Sequence, residues 1–310
     1  MEAQRNQFIG CDKAFEEAKV VLFGAPYDST TSFRPGTRFG PNAMRMESFG
    51  IETYSMLLDK DIVDDAAVFD SGDIELPFGD QEKSLAMIEE RAAEILAADK
   101  IPFLLGGEHL VTLGAVRAAA KKYPDLHVLH FDAHADLRED YLGNKLSHAC
   151  VLRRCHDLLG DGRIFQFGIR SGTREERQFM RDGHVTTELF SDTTLESVVE
   201  KLKSSKVEKS VGGLSTFQPF NSSTSTSHFN SVPVYLTIDM DVLDPSEFPG
   251  TGTQEAGGFG YRQLVDDMAR ICRQLNVVAI DNVELNPGLD PTGRSTALAC
   301  KFLREELLSL

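Results

Sequence analysis

Seven short runs, each nearly continuous in apolar residues, recur along the chain at 20–24, 66–70, 101–105, 126–131, 163–168, 232–238 and 277–283. A strand that alternates apolar and polar residues buries one face, whereas one that is apolar throughout must bury both. Between these runs Leu85, Ile88, Ala92 and Ile95 recur at helical spacing. The same holds for Leu264, Met268, Ile271 and Leu275, and for Ala299, Phe302, Leu303 and Leu307. Such alternation predicts βαβ units: a mainly parallel sheet between helical layers, a three-layer α/β/α sandwich. With 310 residues the chain is read as a single domain over 1–310.

Pro and Gly cluster at 33–41, 245–260 and 287–293, which marks loops rather than linkers. In an open α/β sheet, loops beyond the strand C-termini form the ligand crevice. The stretch 204–231 is rich in Ser, Thr, Asn and Gly and is expected to be a flexible surface insertion. Five scattered cysteines without a C-x-x-C pair argue against disulfides or a thiolate zinc site. The formal charge of −16 repels phosphate backbones and anionic lipid and favours cations, so nucleic acid and membrane are not expected partners. No apolar run reaches membrane-spanning length, and the first residues lack a signal-peptide pattern, so a cytoplasmic protein is expected.

Chemistry concentrates where the apolar runs end. Asp132, His134 and Asp136 follow one run in a D-x-H-x-D pattern, and side chains alternating along an extended segment would share a face. Asp239 and Asp241 form a D-x-D pair at the end of another, and Gly106-Gly-Glu-His109 follows a third, where His109 is expected to open a helix. If these ends are neighbours, four carboxylates converge, and each pair about 4 Å apart repels by about 4 kcal/mol at an effective dielectric of about 20. Two divalent cations would balance Asp132, Asp136, Asp239 and Asp241, with His109 and His134 completing the shells. Hard oxygens and imidazole without thiolate favour Mn²⁺ or Mg²⁺. His127 and His130, upstream on the apolar run, are read as core histidines or supports behind the ligands.

These residues carry a resemblance. Gly24-Ala-Pro-Tyr-Asp28, Arg34-Pro-Gly-Thr-Arg-Phe-Gly-Pro41, the Gly-Gly-Glu-His run, Phe131-Asp-Ala-His-Ala-Asp136, the segment 236–245, Gly252-Thr253 and Glu284-Leu-Asn-Pro287 are together similar to the ureohydrolases, the arginase–agmatinase family, along nearly the whole chain. The resemblance implies an eight-stranded parallel sheet and two Mn²⁺ per subunit. His109 and His134 would each serve one ion, Asp132 and Asp239 would bridge, Asp136 would join His109 and Asp241 would join His134. It implies hydrolysis of a guanidino compound by a metal-bridging hydroxide, with Asp136 taking the proton of the attacking water. His148 matches the family's mobile histidine, suited to protonating the leaving amine. Glu284 can pair with a planar guanidinium, and Thr253 can offer a hydroxyl to the same pocket. A homo-oligomer, trimer or hexamer, is also implied.

Arginases hold the substrate α-carboxylate with an asparagine two residues after the last Asp of D-x-H-x-D; here that position is Arg138. Together with Glu139-Asp-Tyr141 this resembles bacterial-type agmatinases, and Glu255 suits a cationic tail. The expected reaction is agmatine to putrescine and urea. The alternatives are N1-aminopropylagmatine, guanidinobutyrate, guanidine or arginine as substrate, or a non-catalytic metal- or polyamine-binding protein.

Overall fold

The computed structural model describes residues 7–190, 195–204 and 232–310. The stretch expected as an insertion therefore lies, apart from Ser204, outside the described residues. Along the first half run β1 (Val20–Ala25), α1 (Gly40–Glu47), β2 (Tyr54–Ser55), β3 (Lys60–Asp61), α2 (Ile62–Asp65), β4 (Val68–Asp73), α3 (Gln81–Ala97), β5 (Ile101–Gly106), α4 (Val111–Lys122) and β6 (His127–Phe131). There follow α5 (Val151–Leu159), β7 (Ile164–Ile169), α6 (Arg174–Arg181), β8 (Thr186–Leu189), α7 (Leu195–Ser204), β9 (Pro233–Asp239), α8 (Tyr261–Gln274), β10 (Asn276–Val283) and α9 (Arg294–Ser309). Eight strands form one parallel sheet in the order β4-β1-β5-β10-β9-β6-β7-β8, while β2 and β3 make a small antiparallel pair.

Strand alternation splits the core in two. On β1, Val20 and Leu22 pack with Leu264 and Met268 of α8 and Phe302 and Leu303 of α9, whereas Val21 and Phe23 pack with Leu85 and Ile88 of α3 and Val116 of α4. Each fully buried side chain of this size contributes about 1.5–3 kcal/mol by leaving water, so both helical layers are held by the same strands. Local signals agree with the packing: α3 starts at Asp80, whose carboxylate accepts from the Lys83 N–H at 3.0 Å, and α6 starts with a reciprocal Thr173–Glu176 capping box. Gly114 of α4 lies against α3 so closely that a Cβ would sit 2.8 Å from the Leu85 carbonyl oxygen.

Two elements of the architecture differ from the seven-run reading. β8, with sequence Thr-Thr-Glu-Leu and partly exposed residues, is an edge strand that no apolar run announces. The β2–β3 hairpin, two residues a side, is too short to leave a periodic trace.

Candidate functional site

β5, β10, β9 and β6 are consecutive in the sheet, so their carboxyl ends form one edge. β10 is the last strand in sequence and inserts between β5 and β9, and a crevice at such a change of strand order is where open α/β sheets hold ligands. His109 follows β5, Glu284 follows β10, Asp239 ends β9, and Asp132 follows β6.

All six expected ligands meet there, but not by strand alternation. β6 stops at Phe131, and Asp132, His134 and Asp136 lie in the loop beyond it, with Asp136 in the left-handed region at φ 52°. Asp241 lies in a 3₁₀ turn after β9. His109 does not open a helix; it sits in the turn two residues before α4. Gly107 in that turn runs against the backbone of Tyr27, leaving no space for a Cβ.

His109 Nδ1 lies 3.1 Å from Asp132 Oδ2, 3.1 Å from Asp136 Oδ2 and 3.4 Å from Asp239 Oδ2. His134 Nδ1 lies 3.0 Å from Asp241 Oδ2 and 3.5 Å from Asp132 Oδ1. The two oxygens of Asp132 thus face different imidazoles. Backbone donors hold the carboxylates in place: His134 N–H and Ala133 N–H donate to Asp132 and Asp241 at 2.5 and 3.1 Å, and Asp241 N–H donates to Asp239 at 2.8 Å.

The far side of His109 determines its tautomer. Thr237 donates its hydroxyl proton to Asp281 at 2.6 Å, so it accepts from His109 Nε2–H at 3.0 Å. Neutral His109 therefore bears its lone pair on Nδ1, a buried atom without a hydrogen-bond partner that faces three carboxylate oxygens. A lone pair aimed at anionic oxygens requires a cation between them. Burial disfavours the imidazolium, but the surrounding carboxylates hold the pKa of His109 well above the ordinary range. Burial and the Asp132 charge push Asp136 up to about 7. A divalent ion fits the same donor set of carboxylate oxygens and imidazole nitrogens without thiolate.

His130 supports the cluster from behind. Gln166 donates to His130 Nδ1 at 3.0 Å, so Nε2 carries the proton and donates to Asp132 Oδ2 at 2.8 Å. His127 is half-buried at the start of β6, stacks on Phe165 and approaches the Asp125 carbonyl at 2.9 Å. The Thr237–Asp281 pair and Gln166 escaped the sequence reading. Their signal was there, since each is a polar residue inside an otherwise apolar strand.

A cavity of about 250 Å³ opens over the cluster, lined by Asp136, Asp239, Glu284, His148, Thr253 and Arg138 among others. Glu284 sits at φ 66°, and its Oε1 accepts from the His109 N–H at 2.8 Å. Burial, followed by the nearby Glu108 carboxylate, raises its pKa well above the ordinary carboxylate range. His148 Nε2 accepts from Ser32 N–H at 3.2 Å, and burial together with the charges of His109 and His134 lowers its pKa to about 4. Thr253 Oγ1 reaches Asp241 at 3.5 Å. Arg138 lies over the Tyr141 ring at 5.1 Å, and a Glu255 carboxylate oxygen is 4.0 Å from His134 Nε2. Among the described residues no helix is long and apolar enough to cross a membrane.

A parallel α/β/α sheet with an imidazole–carboxylate cluster at its carboxyl edge and a cavity above it is the arrangement of a hydrolase suited to divalent metal ions. The chain belongs to the arginase family, whose sequence model matches residues 18–213 and 220–309. It is 44% identical to an agmatinase of Bacillus cereus over 302 residues, 97% of this chain and 95% of that one. It is 36% identical to an N(1)-aminopropylagmatine ureohydrolase of Thermococcus kodakarensis over 93% of this chain and 89% of that one. The crystal structure of a candidate agmatinase from Clostridium difficile superposes with a TM-score of 0.84 at 44% identity, covering 96% of this chain and 98% of that one.

Proposed function

We propose that the chain hydrolyses agmatine to putrescine and urea, with two Mn²⁺ ions held by His109, Asp132, His134, Asp136, Asp239 and Asp241. The observation that carries this reading is the unpartnered Nδ1 of His109 facing three carboxylate oxygens, with the oxygens of Asp132 divided between two imidazoles. When bound, such ions neutralise the carboxylates and bring the pKa of water towards neutrality.

The chain's own groups do the rest. Glu284, which lines the cavity, pairs with the guanidinium and orients its carbon towards the cluster. Asp136 accepts the proton released as water adds to that carbon. The bond from carbon to the substituted nitrogen then breaks, His148 delivers a proton to the departing amine, and urea remains. The neutral state of His148 suits it to collect that proton during turnover rather than to store it beforehand. Thr253, beside Asp241, offers its hydroxyl to the same pocket.

The high identity to a bacterial agmatinase supports agmatine, and Glu255, 4.0 Å from His134, offers a carboxylate to its ammonium tail. One observation favours a second reading: Arg138 lines the cavity and would attract a carboxylate tail, as in guanidinobutyrate. Residues 1–310 are read as one domain with an insertion at 204–231, in a cytoplasmic homo-oligomer, trimer or hexamer. The test is urea release by the Mn²⁺-reconstituted protein from agmatine, N1-aminopropylagmatine, guanidinobutyrate, arginine and guanidine in parallel. Preference for agmatine is expected. Preference for guanidinobutyrate would transfer the tail pocket to Arg138, and no urea from any of them with two metals bound would overturn the catalytic reading.

A further inference from the structure

A second convergence of ligand-type side chains lies away from the cavity, where the turn after α5 meets the approach to β8. His156 on α5, Asp161 in the turn after it, and His184 just before β8 bring one ligand atom each within 4.8 Å of one another. His156 Nε2 and His184 Nδ1 both lie 2.7 Å from the same oxygen, Asp161 Oδ1. Two imidazole donors crowd one carboxylate oxygen.

The rings are held before any ligand arrives. Phe179 of α6 stacks on His184, with centroids 4.3 Å apart at 26°, and meets His156 edge-on at 4.9 Å and 86°. The backbone closes the same junction, since Gly162 N–H donates to the His184 carbonyl at 3.2 Å. His156 Nδ1 is buried without a hydrogen-bond partner, and Asp157 Oδ1 is 4.0 Å from it. If Nε2 instead ligates a cation, the ring proton moves to Nδ1 and faces the Asp157 carboxylate. Asp161 is exposed, so the site is open to solvent.

We infer that His156, Asp161 and His184 form a surface site for a borderline divalent cation of the Zn²⁺ class, separate from the cavity cluster. Two nitrogens and one oxygen with room for water suit Zn²⁺ or Co²⁺, whereas Mn²⁺ and Mg²⁺ prefer oxygen-rich sets. Of its charged neighbours on α5, the Arg153 guanidinium is engaged over the Phe179 ring at 4.2 Å and with Asp157 at 3.7 Å, and that of Arg154 with Asp157 at 2.9 Å. A bound ion would tie the end of α5 to the entry of edge strand β8, and by binding only the folded chain it would raise the unfolding temperature.

The experiment counts Zn²⁺ retained after gel filtration by the full chain, by His184→Gln, by Asp161→Asn and by Asp132→Asn. Asp161→Asn keeps an oxygen acceptor for both imidazoles and so preserves the fold while removing the anionic ligand. His184→Gln and Asp161→Asn are each expected to retain one ion fewer than the unmodified chain. Zn²⁺ should raise the unfolding temperature of Asp132→Asn but not of the double variant Asp132→Asn with His184→Gln. Equal retention by the unmodified chain and both surface variants would overturn the site and leave a hydrogen-bonded trio. The cavity cluster is read separately: if it binds no metal, the unmodified chain retains one ion and His184→Gln none.

Discussion

Thr237 has a single hydroxyl proton, and because Asp281 takes it, the imidazole of His109 must donate from Nε2 and leave Nδ1 for the cluster. Replacing Thr237 by Val removes that constraint without changing the side chain's shape. Metal affinity is expected to fall by about 10–100-fold, as is usual when a partner orienting a ligand is lost; equilibrium dialysis against Mn²⁺ checks it. Asp132→Asn goes further, since its two oxygens face both imidazoles. Both metal equivalents and urea production should vanish together, as metal analysis beside the activity assay would show. His148→Gln should leave the metal content unchanged and slow turnover by about 10²–10⁴-fold, the range for a lost proton-transfer group, which steady-state kinetics at saturating substrate measures. The six cluster residues were legible in the sequence because their spacing is compact and their types are wrong for a core. Thr237, Asp281 and Gln166 showed only as polar residues inside apolar strands, and their roles were not legible, because only the adjacency of β9 to β10 and of β6 to β7 gives those buried groups their partners.

At the scale of elements, the loops after the strands do more than the strands themselves. Side-chain alternation was the sequence argument for D-x-H-x-D, yet the backbone leaves β6 at Phe131 and turns left-handed at Asp136. The same region recurs at Glu284, φ 66°, and holding such a non-glycine conformation costs about 1–3 kcal/mol. The surrounding hydrogen bonds sustain both, with Leu152 N–H donating to the Asp136 carbonyl at 3.0 Å and Glu284 N–H to the Gly107 carbonyl at 2.9 Å. The start of α9 rests on Asp290, which accepts from Ser295 N–H at 2.8 Å and Ser295 Oγ at 2.7 Å. Burial alone would raise its pKa, but the hydroxyls and N–H groups of Thr292 and Ser295 prevail and lower it from 3.8 to about 2. Because the folded value is the lower one, this stabilisation is complete above pH 3.8 and is lost as the pH falls towards 2. Asp290→Asn should be less stable at pH 7 by about 1 kcal/mol and show a shallower loss across that acid window, as urea unfolding at a series of pH values would report. The edge strand β8 was illegible for the opposite reason to the central strands: with half-exposed Thr and Glu it has no apolar run to show.

Across the whole molecule, the formal charge of −16 gives the chain a net field that attracts cations. The screening length shrinks from about 30 Å at 0.01 M salt to about 8 Å at 0.15 M. For agmatine, kcat/KM is therefore expected to fall several-fold over that range, while kcat stays nearly constant. A zwitterion such as guanidinobutyrate should respond far less, so the same salt series in a urea assay also separates the two substrate readings. Near-continuous apolar runs and helical periodicities were enough to determine a parallel sheet buried on both faces, because burial on two sides leaves a pattern that composition cannot hide. The compact motifs likewise determined which residues converge at the carboxyl edge of the sheet, since carboxylates and histidines at strand ends have no core to serve. The order of strands was decided only in three dimensions. That order sets β10 between β5 and β9, brings Glu284 to the cavity wall, aligns Thr237 with Asp281 and turns His109 Nδ1 towards the carboxylates. Contacts of this kind join residues far apart in the chain, Thr237 and Asp281 by 44 positions and His109 and Glu284 by 175, and pairing between strands is fixed by packing and hydrogen bonding rather than by any local propensity.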